Sequence, residues 1–391
     1  MAKKEKNAPV ANCRLNKVGG QAVLEGVMMK AGARTVTTCR KENGELVVTD
    51  GSFVSVREKH KILNLPLIRG VVNFIEMMLL SFKTLNISAE AMELDDEKDK
   101  QKKAEGKAST TDIVMIIGAI LGVVLAITLF MVLPGYAAEG ISYLFSLMGV
   151  TVNATVKAII EGISKIAIFL GYLALVSLMP DIKRTFMYHG AEHKSIACFE
   201  AGEELTPENA KKHTRFHPRC GTSFMFFMIL IGVIVGIILN NIFSEWPRIL
   251  IILVRLALLP LVVGIGYEFI MFAGKHDNFI VRALSAPGLW VQRITTKEPT
   301  EDMLEVAITS IKCALRDEFE EFKEFYESKA WIKEAPENEE NAGEENKEAD
   351  TDKQNADASE ESADAGKSNA EGGEFPKDAE DGNTDSDGED K

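Results

Sequence analysis

Long apolar runs in the middle of the chain constrain its fold more than any other feature. Residues 113–133 form an unbroken apolar run of the ~20 residues that cross a bilayer as a helix. Residues 223–243 and 249–273 are two further runs, joined by a short segment that contains Asn240 and Pro247. These runs predict a mainly α, polytopic helical membrane protein whose last two spans form a hairpin.

A fourth span is predicted over residues 157–179, with a polar start. Its purely apolar part is shorter than a bilayer crossing and must extend back through Lys157, Glu161 and Lys165. The first span is expected to end at Pro134-Gly135, because this pair commonly terminates helices. About four transmembrane helices are therefore expected.

The distribution of Lys and Arg predicts the orientation of these spans. Segments 89–112, 181–222 and 274–297 each carry several Lys or Arg, whereas 135–155 carries none and 240–248 carries only Arg248. Because positive charge favours the cytoplasmic side, both termini are expected in the cytoplasm. The lipid bilayer is the first predicted partner, no nucleic-acid partner is predicted, and the sequence does not specify an oligomeric state.

The polar parts of the chain divide into distinct segments. Asn43-Gly44 lies between two β-prone stretches and predicts a hairpin, while Arg69, Glu76 and Lys83 form one charged stripe on an otherwise apolar helix. Much of the net charge of −14 lies after Lys333, in a stretch with few large apolar side chains, which predicts disorder. The predicted division is a polar N-terminus (1–18), a small cytosolic β-containing unit (19–65), an amphipathic or interfacial helix (66–88), a charged linker (89–112), a transmembrane bundle (113–273), a cytosolic segment with an amphipathic helix (274–333) and a disordered acidic tail (334–391).

Four of the six histidines lie in the predicted cytosolic loop 181–222. The segment from His189 to His193 has the H-x-x-E-H pattern of inverted zincins. On a helix, residues four apart share a face, so both imidazoles can bind one metal ion. Glu192 lies beside them and is the predicted general base toward an activated water molecule.

A second cluster, from His213 to Cys220, adds His217 and further donors of the types that Zn²⁺ or another divalent metal prefers. An open catalytic site would use three protein ligands, for example His189, His193 and one of His213, His217 or Cys220. A closed structural site would use four and could include Cys198. Both alternatives remain open. The five cysteines are odd in number and scattered, which predicts reduced thiols rather than a disulfide framework.

Two charged residues, Arg255 and Glu268, lie inside the last predicted span. Charges in such positions usually face a bundle interior or a cavity. At helical rise they are ~20 Å apart and cannot pair with each other. Glu268 is expected either to reach the histidine loop or to pair within the bundle.

Several motifs occur together in the order of a known family: the segment from Gly19 to Met29, the His189–His193 segment, the stretch from His213 to Ser223, Pro287-Gly288-Leu289-Trp290, and Glu305-Val306-Ala307. Over residues 15–315 the chain resembles the bacterial YqhQ-like membrane proteins. The resemblance implies a bacterial inner-membrane location and supports a metal site, since that family is described as predicted metal-dependent membrane enzymes without an established substrate. The role of the Gly19–Met29 motif is not specified by the resemblance.

These observations give a leading hypothesis of a metal-dependent integral membrane hydrolase at the cytosolic face. A zinc-dependent reaction on a membrane peptide or a lipid-linked group would use Glu192 and the histidine ligands. The alternative is a non-catalytic membrane scaffold or assembly factor with a structural metal. A transporter, suggested by Arg255 and Glu268, ranks third because the spans contain few other polar residues.

Overall fold

The computed structural model describes residues 14–15, 17–92, 110–243, 245–273, 279–328 and 332–334. Most of the predicted polar N-terminus, most of the charged linker and nearly all of the predicted acidic tail lie outside the described residues. The helices are α1 (Val56–Lys59), α2 (Ile68–Ala91), α3 (Thr110–Ile127), α4 (Leu133–Leu147), α5 (Ala154–Val176), α6 (Pro180–Glu200), α7 (Pro207–Lys212), α8 (Gly221–Ile242), α9 (Arg248–Ala257), α10 (Leu259–Ala273), α11 (Phe279–Thr295), α12 (Glu301–Ala314) and α13 (Glu320–Glu327).

A small sheet forms the N-terminal part of the fold, as predicted. Its strands, in sheet order, are β1 (Val18–Val23), β2 (Gly26–Ala31), β3 (Arg34–Arg40), β4 (Leu46–Ser52) and β5 (Ile332–Glu334). The first four are antiparallel neighbours, and β5 joins β4 in parallel. The predicted turn connects β3 to β4, where Gly44 has a φ of +86° and the Glu45 N–H donates to Asn43 Oδ1 at 3.0 Å.

Helices α6 and α12 pack with this sheet around one hydrophobic core. Val27, Val36 and Val48 of the sheet share the core with Phe199 of α6 and Ile311 of α12. Ser310 adds a polar contact, because its hydroxyl donates to the Val36 carbonyl at 2.7 Å. The body formed by β1–β5, α6 and α12 is called the packed body below.

Two segments of the packed body differ from the sequence expectation. Segment 181–222, expected as a His-rich loop between two spans, contains the helices α6 and α7, and ten of the 21 residues of α6 are buried. The amphipathic helix expected in 300–329 is two helices, of which α12 is central because ten of its 14 residues are buried. The glutamates of that segment lie mainly at its ends, while residues 303–314 are mostly apolar or small.

Within the described residues, four helical segments are long and apolar enough to cross a membrane: Ile68–Ala91, Ile116–Leu147, Ala154–Val176 and Gly221–Ile242. The charged stripe of the first of these predicts an amphipathic or interfacial helix, yet its 24 residues are long enough to cross a membrane. Helices α9 and α10 together also meet the test but bend by 46° at their junction. Pro260 lies in the first turn after this break, and its missing N–H favours a bend over one straight span.

The expected helix end at Pro134-Gly135 is absent from the described structure, and the helix continues to Leu147. A π-helical turn, Thr128–Val132, precedes Pro134, which occupies the first turn of α4. Such a widened turn removes the need for the hydrogen bond that proline cannot donate.

The two charged residues of the last predicted span pair within the helical bundle. Arg255 pairs with Glu161 of α5, and Glu268 pairs with Arg69 of α2. Of the two roles expected for Glu268, the structure therefore shows bundle pairing.

Candidate metal centre

His189 and His193 lie one turn apart on α6, and their ring centroids are 4.4 Å apart. The helix positions them because Pro180 occupies its first turn and the i, i+4 spacing places both rings on one face. His193 is buried, whereas His189 is half-buried. The pair therefore has one enclosed and one more accessible member.

Cys220 joins these histidines from a different part of the chain. It is the residue immediately before α8, and its Sγ lies 3.2 Å from His189 Nε2. The donor atoms of His189, His193 and Cys220 all lie within 4.8 Å of one another. A tetrahedral zinc site would separate sulfur and nitrogen ligands by ~3.5 Å, given its usual bond lengths. The three side chains thus fit one metal ion with small adjustments.

Backbone carbonyls orient both imidazoles. His189 Nδ1 lies 2.9 Å from the Thr295 carbonyl oxygen, and His193 Nδ1 lies 2.6 Å from that of Arg215. Because a carbonyl only accepts, each Nδ1 donates its proton, which leaves each Nε2 with a free lone pair. Burial lowers the pKa of His193, so the neutral, ligating form is favoured.

Glu192 lies between the two histidines in sequence and is 5% exposed. Among the described residues its Oε2 has no hydrogen-bond partner. Burial raises the pKa of this carboxyl to about 7, with an opposing effect from nearby His189. A buried carboxyl oxygen without a partner is costly, so this group is a candidate for an interaction with a metal, water or substrate.

The Gly19-Gly20 pair has a structural role beside Glu192. A Cβ on Gly20 would lie 3.1 Å from Glu192 Cγ and 2.7 Å from the Met28 carbonyl oxygen, whereas one on Gly19 would meet nothing within 4 Å. Gly20 therefore allows β1 to approach the carboxylate closely. Gln21 and Glu25 of the same motif lie elsewhere: Gln21 accepts from Ser81 Oγ at 2.6 Å, and Glu25 pairs with Arg184.

The other two predicted histidine ligands are separate from the three-residue group. The His217 ring lies 5.5 Å from the His193 ring, but its Nε2 faces Glu200 at 3.7 Å. His213 Nε2 lies 3.2 Å from a Glu203 carboxylate oxygen. His213, Glu203 and Cys198 form a second group whose ligand atoms are close together. Of the five predicted ligands, His189, His193 and Cys220 therefore form one group, His213 belongs to the second, and His217 belongs to neither.

Gln292 is not among the residues that the sequence predicts for the site, yet it holds the site together. It is fully buried; its Nε2 donates to the His217 carbonyl and Ser223 Oγ, and its Oε1 accepts from the His217 N–H. It thereby fixes the segment that carries Cys220 against α11. The nearby motif Pro287-Gly288-Leu289-Trp290 is the sequence feature that could have pointed to this contact. A Cβ on Gly288 would lie 2.9 Å from Cβ of Ser223, the same residue that Gln292 contacts.

Comparisons with known proteins are consistent with the motif order. A family model described as "Protein of unknown function (DUF1385)" matches residues 65–317. The chain is 36% identical over 307 residues to the uncharacterized protein YqhQ of Bacillus subtilis (strain 168). The matched region covers 76% of this chain and 92% of that relative. No solved structure matches the chain. The chain therefore belongs to the DUF1385 family and to the YqhQ-like proteins.

Proposed function

We propose that the chain is a metal-dependent integral membrane hydrolase, with His189, His193 and Cys220 as the metal ligands. The observation that carries the proposal is the meeting of these three donors, together with the unpartnered carboxyl of Glu192, which interacts electrostatically with His189. Two imidazoles and a thiol are ligand types that zinc accepts, and three protein ligands leave a coordination position open.

The residues of the site divide into binding and proton-transfer roles. His189 and His193 would bind through Nε2 because their Nδ1 atoms are engaged by backbone carbonyls. A bound zinc ion would supply Lewis acidity, which makes water a stronger acid. Glu192 would accept the proton from the attacking water, since its carboxylate oxygen is buried and free of other partners among the described residues. Half-buried His189 marks the side from which a substrate would approach.

The four candidate spans favour a substrate that the bilayer delivers, such as a membrane peptide or a lipid-linked group. The Lys and Arg distribution favours a cytosolic position for the metal centre and cytoplasmic termini. Family membership is compatible with a bacterial inner-membrane location, which we include in the proposal.

Metal analysis of the purified full chain tests the ligand assignment. We expect one zinc ion, or one other divalent metal ion, per chain in the wild type and in His213→Ala. His193→Ala and Cys220→Ser should lose it. Loss of metal in His213→Ala alone would instead place the ion with Cys198 and Glu203, and would contradict the proposed centre.

Glu192→Gln separates a hydrolase from a scaffold, because it keeps the shape of the side chain and removes the base. Cells whose only copy is Glu192→Gln should accumulate an uncleaved membrane peptide or lipid-linked species, measured by mass spectrometry of membrane extracts. Glu203→Gln is the matched control and should resemble the wild type. If Glu192→Gln keeps its metal and its extracts match the wild type, the structural-metal scaffold replaces the hydrolase.

A further inference from the structure

A charged cavity lies among α4, α5, α8 and α9, far from the metal centre. Its volume is about 220 Å³, and its polar lining consists of Glu139, Lys157, Glu161, Asn240, Arg248 and Arg255. Cys220 and Asn240 lie at opposite ends of α8, so at helical rise the cavity is ~30 Å from the proposed metal ligands. The two sites are therefore physically independent.

The guanidinium of Arg255 forms the inner part of this cavity. Its side chain is only 9% exposed. It pairs with Glu161, and its Nη2 donates to Asn240 Oδ1 at 3.2 Å. Its Nε is buried and has no partner among the described residues. Gly236 leaves room for this group, because a Cβ there would lie 3.3 Å from Arg255 Nη2.

Arg248 contributes a second unused donor at the start of α9. Its Nη2 pairs with Glu139 and donates to the Gly135 carbonyl at 3.3 Å, and its guanidinium lies 4.7 Å from the Tyr136 ring centroid. Its Nη1 is buried without a partner in the part of the chain that the structure describes. Two different guanidinium groups that line one cavity thus each retain an unsatisfied donor.

The charges of the lining favour an anion. Lys157, Arg248 and Arg255 carry three positive charges, whereas Glu139 and Glu161 carry two negative charges. Two of the three cations, Arg248 and Arg255, are partly or fully withdrawn from water, and such charges are favoured when a negative group compensates them. The lining therefore suits an anionic ligand.

We propose that this cavity binds a phosphate group. Arginine donors suit phosphate because its several oxygens can accept from two guanidinium groups and a lysine at once. The cavity is smaller than the ~300–1,000 Å³ of pockets for drug-sized ligands, so it fits one small anionic group. The cavity adjoins the ends of candidate spans, so the phosphate can come from an anionic lipid headgroup. A soluble phosphate offers the same chemistry, and the experiment below separates the two sources.

Binding to the purified full chain tests this site. Inorganic phosphate is titrated in detergent by calorimetry, and phosphatidylglycerol is compared with phosphatidylcholine in nanodiscs by native mass spectrometry. Arg248→Gln should weaken phosphate or phosphatidylglycerol binding at least tenfold. Arg255→Lys keeps the ion pair with Glu161 but removes the Nε donor, and should weaken binding severalfold.

Matched controls separate this result from general damage. Arg69→Lys alters the other bundle ion pair, and Arg184→Gln removes an arginine of the packed body; both should bind like the wild type. Binding of phosphatidylglycerol alone would identify a lipid headgroup, and binding of free phosphate would identify a soluble anion; either supports the site. If neither probe distinguishes the wild type from Arg248→Gln, with metal content unchanged, the phosphate site is refuted and the metal centre is not affected.

Discussion

The packed body and the long apolar helices place the same residue types in opposite surroundings. Leu304 and Ile311 of α12 are fully buried, whereas Leu121 and Val124 of α3 are more than half exposed. The first region provides its own apolar environment, as the core of a soluble domain does. The second exposes large apolar side chains along the whole helix, far beyond the usual surface of a monomer. This difference supports a bilayer as the surroundings of the second region.

The largest effect is expected in the packed body. Ile311→Ala removes methyl groups from a side chain with 0% exposure and should lower the free energy of unfolding by about 2–5 kcal/mol. Pulsed alkylation of Cys313, which is also buried, would measure the opening of this region. Ile120→Ala, at an exposed position of α3, should change the labelling rate little. If both variants changed the labelling rate of Cys313 equally, the contrast between a self-packed core and an exposed apolar helix would be wrong.

A charged substitution tests the second region directly. Val124 is 56% exposed, so lysine would be tolerated there in water but would cost about 2.5–3.5 kcal/mol at the centre of a membrane helix. Val124→Lys should lower the inserted fraction, measured by alkaline extraction of membranes, while Val124→Leu should not. Normal insertion of Val124→Lys would argue against a position of this residue in the hydrocarbon core.

Metal removal should destabilise the packed body, which carries two of the three proposed ligands. A ligand present at 100 times its Kd stabilises the folded state by about 2.7 kcal/mol, which is a factor of about 100 in the unfolding equilibrium. Chelation should therefore accelerate the labelling of Cys313 by up to about that factor. His193→Ala should show no response to the chelator, and His213→Ala should respond like the wild type. A response that persists in His193→Ala would contradict the ligand assignment.

The smallest effect is expected from substitutions at two adjacent glycines of β1, Gly19 and Gly20. Gly20→Ala introduces a Cβ against Glu192 and the Met28 carbonyl, and such overpacking costs about 1–3 kcal/mol. Gly19→Ala meets nothing within 4 Å and should stay within ~0.5 kcal/mol of the wild type. Both variants can be compared by chemical unfolding. Equal stability would show that β1 does not need its close approach to α6.

Sequence patterns predicted the local features of this molecule best. The Asn43-Gly44 hairpin, the strongly apolar helices and the pairing of His189 with His193 each depend on short-range periodicity or turn chemistry. The family resemblance from motif order was also confirmed. The metal and its chemistry remain predictions.

Long-range packing explains what the sequence did not reveal. Which donor joins His189 and His193 depends on where α8 begins relative to α6, and that position is held by Gln292 through contacts 69 and 75 residues away. The burial of α6 depends equally on α12 and the sheet. Neither relation leaves a periodic signal in a single sequence.

The order of synthesis gives the packed body a further property. Ser310 of α12 contacts Val27 across 283 residues of chain, so the sheet leaves the ribosome long before the helix that covers it. At ~5–20 residues per second, the delay is on the order of 15–55 s. During this interval the apolar face of β2 and β3 has no α12 to cover it. Unless other segments or a chaperone shield it, that face is open to aggregation until α12 is made, and release of the chain before that point would prolong the exposure.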